Sequence, residues 1–160
     1  MMLKVNPFIS VVIPTFNRSG TIERALTSVL NQTYKNTEII VVDDGSIDNT
    51  EMILKKYPDV IYLKQENKGV SAARNVGIQH AKGDWVALLD SDDEWLPHKL
   101  LEQLALLQKR PELSCIHGEE IWIRNGNRVN QMKKHQKGGG DQFMPSLKLC
   151  LISPSSVLLK

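Results

Sequence analysis

The chain has 160 residues, of which 41% are hydrophobic and 24% charged, and a formal net charge of +2. That length and balance describe one globular domain with enough apolar residue for a core, and they exclude a disordered chain. The small net charge and sparse aromatics, with no basic stripe interleaved, argue against a nucleic-acid binder.

Ile9 to Ile13 is a short apolar run that reads as a strand; Pro14 follows at once, and the run is too short for a signal peptide. Thr21 to Asn31 reads as a helix with Ile22, Ala25, Leu26, Val29 and Leu30 on one face. Ile39 to Val42 is a second strand. The next helix is expected to begin near Asp48, with Glu51 three residues on as in a capping box. Val60 to Leu63 is a third strand. Gly69 to Ala81 is a helix rich in small residues, which permits close approach to a sheet. Trp85 to Leu89 is a fourth strand, and Pro97 to Lys109 a helix with Leu100, Leu101, Leu104 and Leu107 inward. This alternation implies an α/β fold: a mainly parallel sheet flanked by helices. Ligands of such sheets sit outside the strand C-termini.

Beyond Pro111 the regularity stops. Leu113 to His117 and Glu120 to Arg124 read as strands, the second leading into an Asn125-Gly126-Asn127 turn. Residues 121–140 hold no acid but carry Arg124, Arg128, Lys133, Lys134 and Lys137, and end in Gly138-Gly139-Gly140. A solvated flexible loop is the favoured reading, and a lid over an anionic substrate the alternative. Ser156 to Lys160 reads as a strand broken off in its middle, so the polypeptide is expected to continue past Lys160. The two cysteines, Cys115 and Cys150, lack metal-type spacing and lie among apolar residues, as buried thiols of a reducing compartment would. No apolar stretch nears the ~20 residues of a membrane helix. Cytoplasmic placement is therefore expected.

The most informative feature is Asp90-Ser91-Asp92-Asp93, directly after the fourth apolar run. Alternate side chains of a strand share a face, so Asp90 and Asp92 would point the same way at its C-terminal edge. Paired carboxylates with nothing to neutralise them resist ionising together, and a divalent cation removes the conflict. Oxygen-only ligands favour Mg²⁺, Mn²⁺ or Ca²⁺; Mg²⁺ is usually held by one or two carboxylates plus substrate phosphates. The competing reading is helix capping, which would explain Asp93 and Glu94 ahead of Pro97 but not Asp90. Three other strand ends would converge on the same edge: Pro14-Thr15-Phe16-Asn17-Arg18, Asp43-Asp44-Gly45-Ser46, and Asn67-Lys68-Gly69 with Arg74 on the following helix. Turn chemistry accounts for each alone and poorly for all together. Asp43 or Asp44 can accept hydrogen bonds from a base or ribose, and a cation with Arg74 can face a diphosphate.

Ser10 to Arg18, Ile40 to Asp48, Asn67 to Gly77 and Leu88 to Asp93, in this order and spacing, resemble the family 2 glycosyltransferases. Four motifs in register are specific where one would be weak. The resemblance implies the GT-A (Rossmann-like) fold and transfer, with inversion, of a sugar from a nucleotide-diphosphate donor, usually a UDP-sugar, to an acceptor hydroxyl in polysaccharide, cell-wall or glycolipid synthesis. It implies that Pro14, Thr15 and Asn17 line the nucleoside pocket, that Asp44 reads the base beside Asp43, and that Arg74 sits near base and diphosphate. Asp90, Ser91 and Asp92 match the DxD motif, with Asp90 and Asp92 toward Mn²⁺ or Mg²⁺. The implied partners are the nucleotide-sugar donor and a glycan or lipid-linked acceptor, with the basic stretch leaving room for peripheral membrane contact. Residues 1–110 would then be the donor part and 111–160 the start of an acceptor-side part. The family's general base lies in a downstream acidic motif. Neither Asp141 nor Glu119 and Glu120 match it, so it is expected beyond Lys160 and the chain apparently truncated. The alternatives are a donor-binding fragment or module without its base, and a haloacid-dehalogenase-type phosphohydrolase. The latter is weakened by Glu94, where that family has threonine, and by the motif's place on a fourth strand. No Gly-x-Gly-x-x-Gly follows a strand, which removes dinucleotide binding.

Overall fold

The computed structural model describes residues 6–130, 137–140, 146 and 151–160. Lys133, Lys134, Asp141 and Cys150 lie outside the described residues. In chain order the elements are β1 (Ile9–Thr15), α1 (Ile22–Leu30), β2 (Thr37–Asp43), α2 (Thr50–Leu54), β3 (Ile61–Lys64), α3 (Val70–His80), β4 (Trp85–Leu88), α4 (Lys99–Lys109), β5 (Cys115–His117), β6 (Trp122–Arg124), β7 (Asn127–Val129) and β8 (Val157–Leu159). One sheet runs β3-β2-β1-β4-β8-β5, and β6 pairs with β7 separately. β3, β2, β1 and β4 are parallel, as the alternation of strands and helices predicts. β8 then enters antiparallel to β4, with β5 antiparallel to β8. The α/β expectation holds, with a mixed edge that helix periodicity could not reveal.

The continuous apolar runs exist because the sheet is covered on both faces. Along β1, Ile9, Val11 and Ile13 face α1 and α4, packing with Ile22, Leu26, Leu100, Leu104 and Leu107. Val12 faces the opposite side with Leu88 and Val157, while Ile40 and Val42 of β2 meet Ala73 of α3 there. α3 approaches very closely. A Cβ built on Gly77 would stand 2.3 Å from Val12 Cγ1, so the small-residue pattern of this helix is a packing requirement.

Several local expectations change. Leu30 and Leu101 are exposed, and Gln103 takes the inward place in α4 beside Leu100, Leu104 and Leu107. Helix phase, at 100° per residue, leaves Leu101 just outside the stripe that its neighbours bury. No capping box forms at α2: Glu51 turns outward to ion-pair with Lys55 and Lys64. Asp48 alone binds the helix start, accepting from the Thr50 amide at 3.0 Å and hydroxyl at 2.5 Å. Cys115 is exposed, because on edge strand β5 it alternates with the inward Ile116. The predicted turn after β6 is present, with Asn125 and Gly126 both at positive φ, as a two-residue hairpin turn of this hand requires. β7, on its far side, was not anticipated. Among the described residues no helix is long and apolar enough to cross a membrane.

Candidate functional site at the sheet edge

The C-terminal ends of β1, β2 and β4 meet at one edge. Val12 bonds toward β4, its carbonyl accepting the Leu89 amide at 3.0 Å. Bonding sides alternate along a strand, so Pro14 also faces β4, where it has no N–H to give. Pairing of β1 with β4 accordingly stops at Val12 and Leu88, and the turn carrying Asp90 to Asp93 opens away. Pro14 and Thr15 are thus the last residues of β1, not a loop. Thr15 is 3% exposed, and its Oγ1 is buried without a hydrogen-bond partner.

Asn17 serves as a fastener between loops. At φ 51°, a backbone region asparagine tolerates, it takes a bond from Ile47 N to its Oδ1 at 2.9 Å and gives its own amide to Ser46 Oγ at 2.9 Å. Arg18 N to Thr50 Oγ1 and Ser19 N to Asp48 Oδ2, both 3.0 Å, continue this seam. Burial pushes the Asp48 carboxyl up, but the hydrogen bonds from Thr50 and Ser19 outweigh it and hold the group well below the usual carboxylate range. A carboxyl whose folded value is depressed adds stability above its unfolded value, near ~4, and loses it as pH falls toward the folded value. The difference in urea midpoint between wild type and Asp48→Asn should therefore be present at pH 6 and shrink progressively below pH ~4. A gap that stays constant to pH 2 would contradict this assignment.

Asp43 and Asp44 are both buried, and their oxygens are largely engaged by the protein. Asp43 accepts from Ser46 N at 2.7 Å and Tyr62 Oη at 2.8 Å. Burial, and then this bond to Asp43, raise the Tyr62 hydroxyl so that it stays protonated and donating. Asp44 accepts from Gln65 Nε2 at 2.7 Å, Lys68 N at 2.9 Å and Gly69 N at 2.8 Å. It thereby pins the β3–α3 loop over the edge. Gly45, at φ 84°, lets that loop pass: a Cβ there would sit 3.1 Å from Asn67 N in a strained backbone.

The aspartate turn is arranged differently from the strand extrapolation. β4 ends at Leu88, so Asp90 and Asp92 lie in a turn closed by Asp93 N to Asp90 O at 3.0 Å. Nor are they without counter-charges. Arg74, reaching from α3, sets Nη2 2.5 Å from Asp90 Oδ1, and Arg18 stands 3.5 Å from Asp92 Oδ2. Arg24 donates to the Asp92 carbonyl at 2.5 Å. Arg74 keeps its Nε buried without a partner. Asp93 and Glu94 do not cap α4: Asp93 accepts from Ser155 Oγ at 2.5 Å, and Glu94 pairs with Arg24. Burial first, then the charges of Asp90, Asp92 and Glu120, raise the Asp93 carboxyl. Ser91, within the turn, is buried.

The donor set suits a hard divalent cation that takes much of its coordination from substrate. Asp90 and Asp92 supply oxygen alone, and the Asp92 side chain is half exposed at the open edge. Among the described residues no group of three acidic, His or Cys side chains is gathered that could hold a metal by itself. Two carboxylates plus a diphosphate is the arrangement Mg²⁺ and its like prefer.

Sequence reasoning missed the residues that brace this turn from the mixed edge. Trp95 donates Nε1–H to Ser155 O at 2.7 Å, and Gln103 donates to Ser156 O at 2.9 Å. Lys99 sits 4.0 Å over the Trp95 ring, and burial lowers it to about 7. Lys137 is not the solvated lysine of a free loop. Its side chain is 4% exposed, ion-paired with Glu120 and donating to Gly118 O at 2.8 Å. Burial raises the Glu120 carboxyl, but Lys137 and Trp122 outweigh it and hold it low, which makes it a poor base. The only sequence signal was a proline-serine pair ahead of a short apolar run.

The chain is similar to known glycosyltransferases. Over 154 residues the chain is 35% identical to the UDP-Glc:alpha-D-GlcNAc-diphosphoundecaprenol beta-1,3-glucosyltransferase of Escherichia coli, covering 94% of this chain and 59% of that one. Staphylococcus aureus TarS 1-349 in complex with UDP-GlcNAc is similar at a TM-score of 0.63 and 28% identity, over 78% of this chain and 37% of that one. The mannosyltransferase PcManGT of Pyrobaculum calidifontis, in complex with GDP-Man and Mn²⁺, is similar at 0.61 and 28%, over 69% and 34%. The chain spans only part of the curated relatives it matches, 39% of one and 59% of another. The mainly parallel, mixed sheet flanked by helices is similar to GT-A glycosyltransferase structures. The model of glycosyl transferase family 2 matches residues 10–152, across the C-terminal ends of β1, β2 and β4, and the chain belongs to that family.

Proposed function

We propose that this chain is the donor-binding part of a metal-assisted, inverting glycosyltransferase that uses a UDP-sugar. Residues 1–110 would hold the donor and 111–160 begin the acceptor side. The observation that carries the reading is the pair of buried, unpartnered groups, Thr15 Oγ1 and Arg74 Nε, at the edge where Asp44, Asp90 and Asp92 gather. Buried polar atoms without partners are rare, and a ligand is one way of satisfying them. Pro14, Thr15 and Asn17 would border the nucleoside, with Asp43 holding Asp44 in place to read the base. Arg74 would offer donors to the diphosphate while its other arm stays on Asp90. Asp90 and Asp92, with the buried Ser91 between them in the chain, would hold Mn²⁺ or Mg²⁺. Such a cation supplies Lewis acidity that stabilises charge developing on a leaving diphosphate. UDP is favoured by the UDP-GlcNAc complex of the similar TarS, whereas the similar mannosyltransferase carries GDP-Man and Mn²⁺. A lipid-linked glycan is the acceptor class suggested by the E. coli relative's name.

Calorimetry with UDP, with and without Mn²⁺, tests this reading. Binding should depend on the metal, and Asp92→Asn should weaken the metal-dependent part by ~10-fold or more. Stability should change little, because the Arg18 pair it disturbs is exposed. A folded wild-type chain indifferent to UDP under both conditions would overturn the assignment. A response to GDP instead would redirect it.

A further inference from the structure

Ser155 reaches the aspartate turn from 65 residues away, holds it at two points and anchors the segment just after it at a third. Its Oγ accepts the Asp90 amide at 3.0 Å and donates to Asp93 Oδ2 at 2.5 Å. Its carbonyl accepts the Trp95 indole N–H at 2.7 Å. A serine hydroxyl has one proton and two lone pairs. The proton is committed to the carboxylate, which leaves a lone pair for the amide, so both bonds form only with the hydroxyl in this orientation. Ser155 is itself fixed. It is 8% exposed, within a 3-10 turn (Pro154–Ser156) closed by Ser156 N to Ser153 O at 3.0 Å, and Gln103 of α4 holds the next carbonyl. Without this contact, Asp90 would be located by Arg74 and by the turn's own closing bond.

We propose that Ser155 is the positioning residue of the aspartate turn, its hydroxyl setting Asp90 and Asp92 in the arrangement that takes a divalent cation together with the donor diphosphate. A residue from the acceptor-side segment thus sets the metal affinity of the donor site. This rests on the donor-site reading above. Groups that orient metal ligands typically matter by 10–100-fold in metal affinity.

The test is the Mn²⁺ concentration that half-saturates UDP binding at fixed UDP, measured for the wild-type chain, Ser155→Ala and Ser155→Thr. Ser155→Ala should require ~10–100-fold more Mn²⁺, with metal-free UDP binding unchanged, and Ser155→Thr should recover most of the loss by restoring the hydroxyl. A purely structural role would instead lower metal-free and metal-dependent binding alike, and that result would overturn the proposal. So would an alanine variant that titrates like wild type. Should Ser155→Ala not fold, Ser155→Cys keeps the volume with a much weaker donor and acceptor. It is expected to show the same rightward shift, and a wild-type titration would sink the idea. A wild-type chain without metal-dependent UDP binding brings down the donor-site reading and this inference together. A normal wild type with an unaffected Ser155→Ala brings down this inference alone.

Discussion

Arg74→Ala is expected to weaken UDP binding by about 1.5–3 kcal/mol, tenfold to about a hundredfold, while leaving uridine binding nearly unchanged. The guanidinium spans two tasks. One arm meets Asp90 Oδ1 at 2.5 Å, and Nε is buried with no partner of its own. Both Arg74 and Asp90 side chains are largely shielded, at 20% and 28% exposure, so their charges are only partly screened. A charge-assisted bond to phosphate is the stronger kind, and the planar fork can hold carboxylate and phosphate at once. Lysine has a point charge and no fork, so Arg74→Lys should recover little of the loss. Removing the arginine also leaves the Asp90 carboxylate without its cation, costing stability on the order of 1–3 kcal/mol. Paired calorimetry with UDP and uridine separates the roles. If uridine affinity falls as far as UDP affinity, Arg74 acts on the nucleoside or on the shape of the pocket, and its diphosphate role is lost.

Gly77→Ala should lower the urea midpoint without changing the slope, although alanine is the better helix former. Propensity alone predicts a gain of about 1 kcal/mol in a helix interior. Packing opposes it. The new methyl would stand 2.3 Å from Val12 Cγ1, on a side chain that is fully buried and stiff at χ1. Overpacking a close-packed core costs typically about 1–3 kcal/mol, occasionally more, and an overlap this deep falls toward the upper end. The net expectation is destabilisation by about 1–2 kcal/mol. α3 also carries Arg74 one turn earlier, so relief by lifting the helix would draw the guanidinium from Asp90 and weaken UDP binding in parallel. An unchanged or higher midpoint would show that α3 is less tightly seated on β1 than the geometry requires.

The four parallel strands and their helices were legible because each apolar run carries its own period, and a sheet covered on both faces tolerates no other pattern. The acidic and polar strand ends were legible for a related reason: parallel strands deliver all their C-termini to one edge, so topology alone collects Thr15, Asp44 and Asp90. The details inside that edge were not. Asp90 and Asp92 read as a bare repelling pair because Arg74 and Arg18 are distant in the chain and no local pattern links them. Glu51 read as half of a capping box because its competitor, Lys64, lies on β3. Lys137 read as a solvated loop charge because its partner Glu120 comes from the far end of a basic stretch.

By itself the amino-acid sequence determined the α/β class, the layering of the core and the residue types offered at the site, since these depend on local periodicity and on which side chains water rejects. Tertiary structure alone decided how those residues are held. The antiparallel entry of β8 brings Ser155 and Ser156 under the aspartate turn, and Pro14 ends the β1–β4 ladder where that turn opens. Such contacts join residues tens of positions apart, and only the folded backbone brings their donors and acceptors within bonding distance.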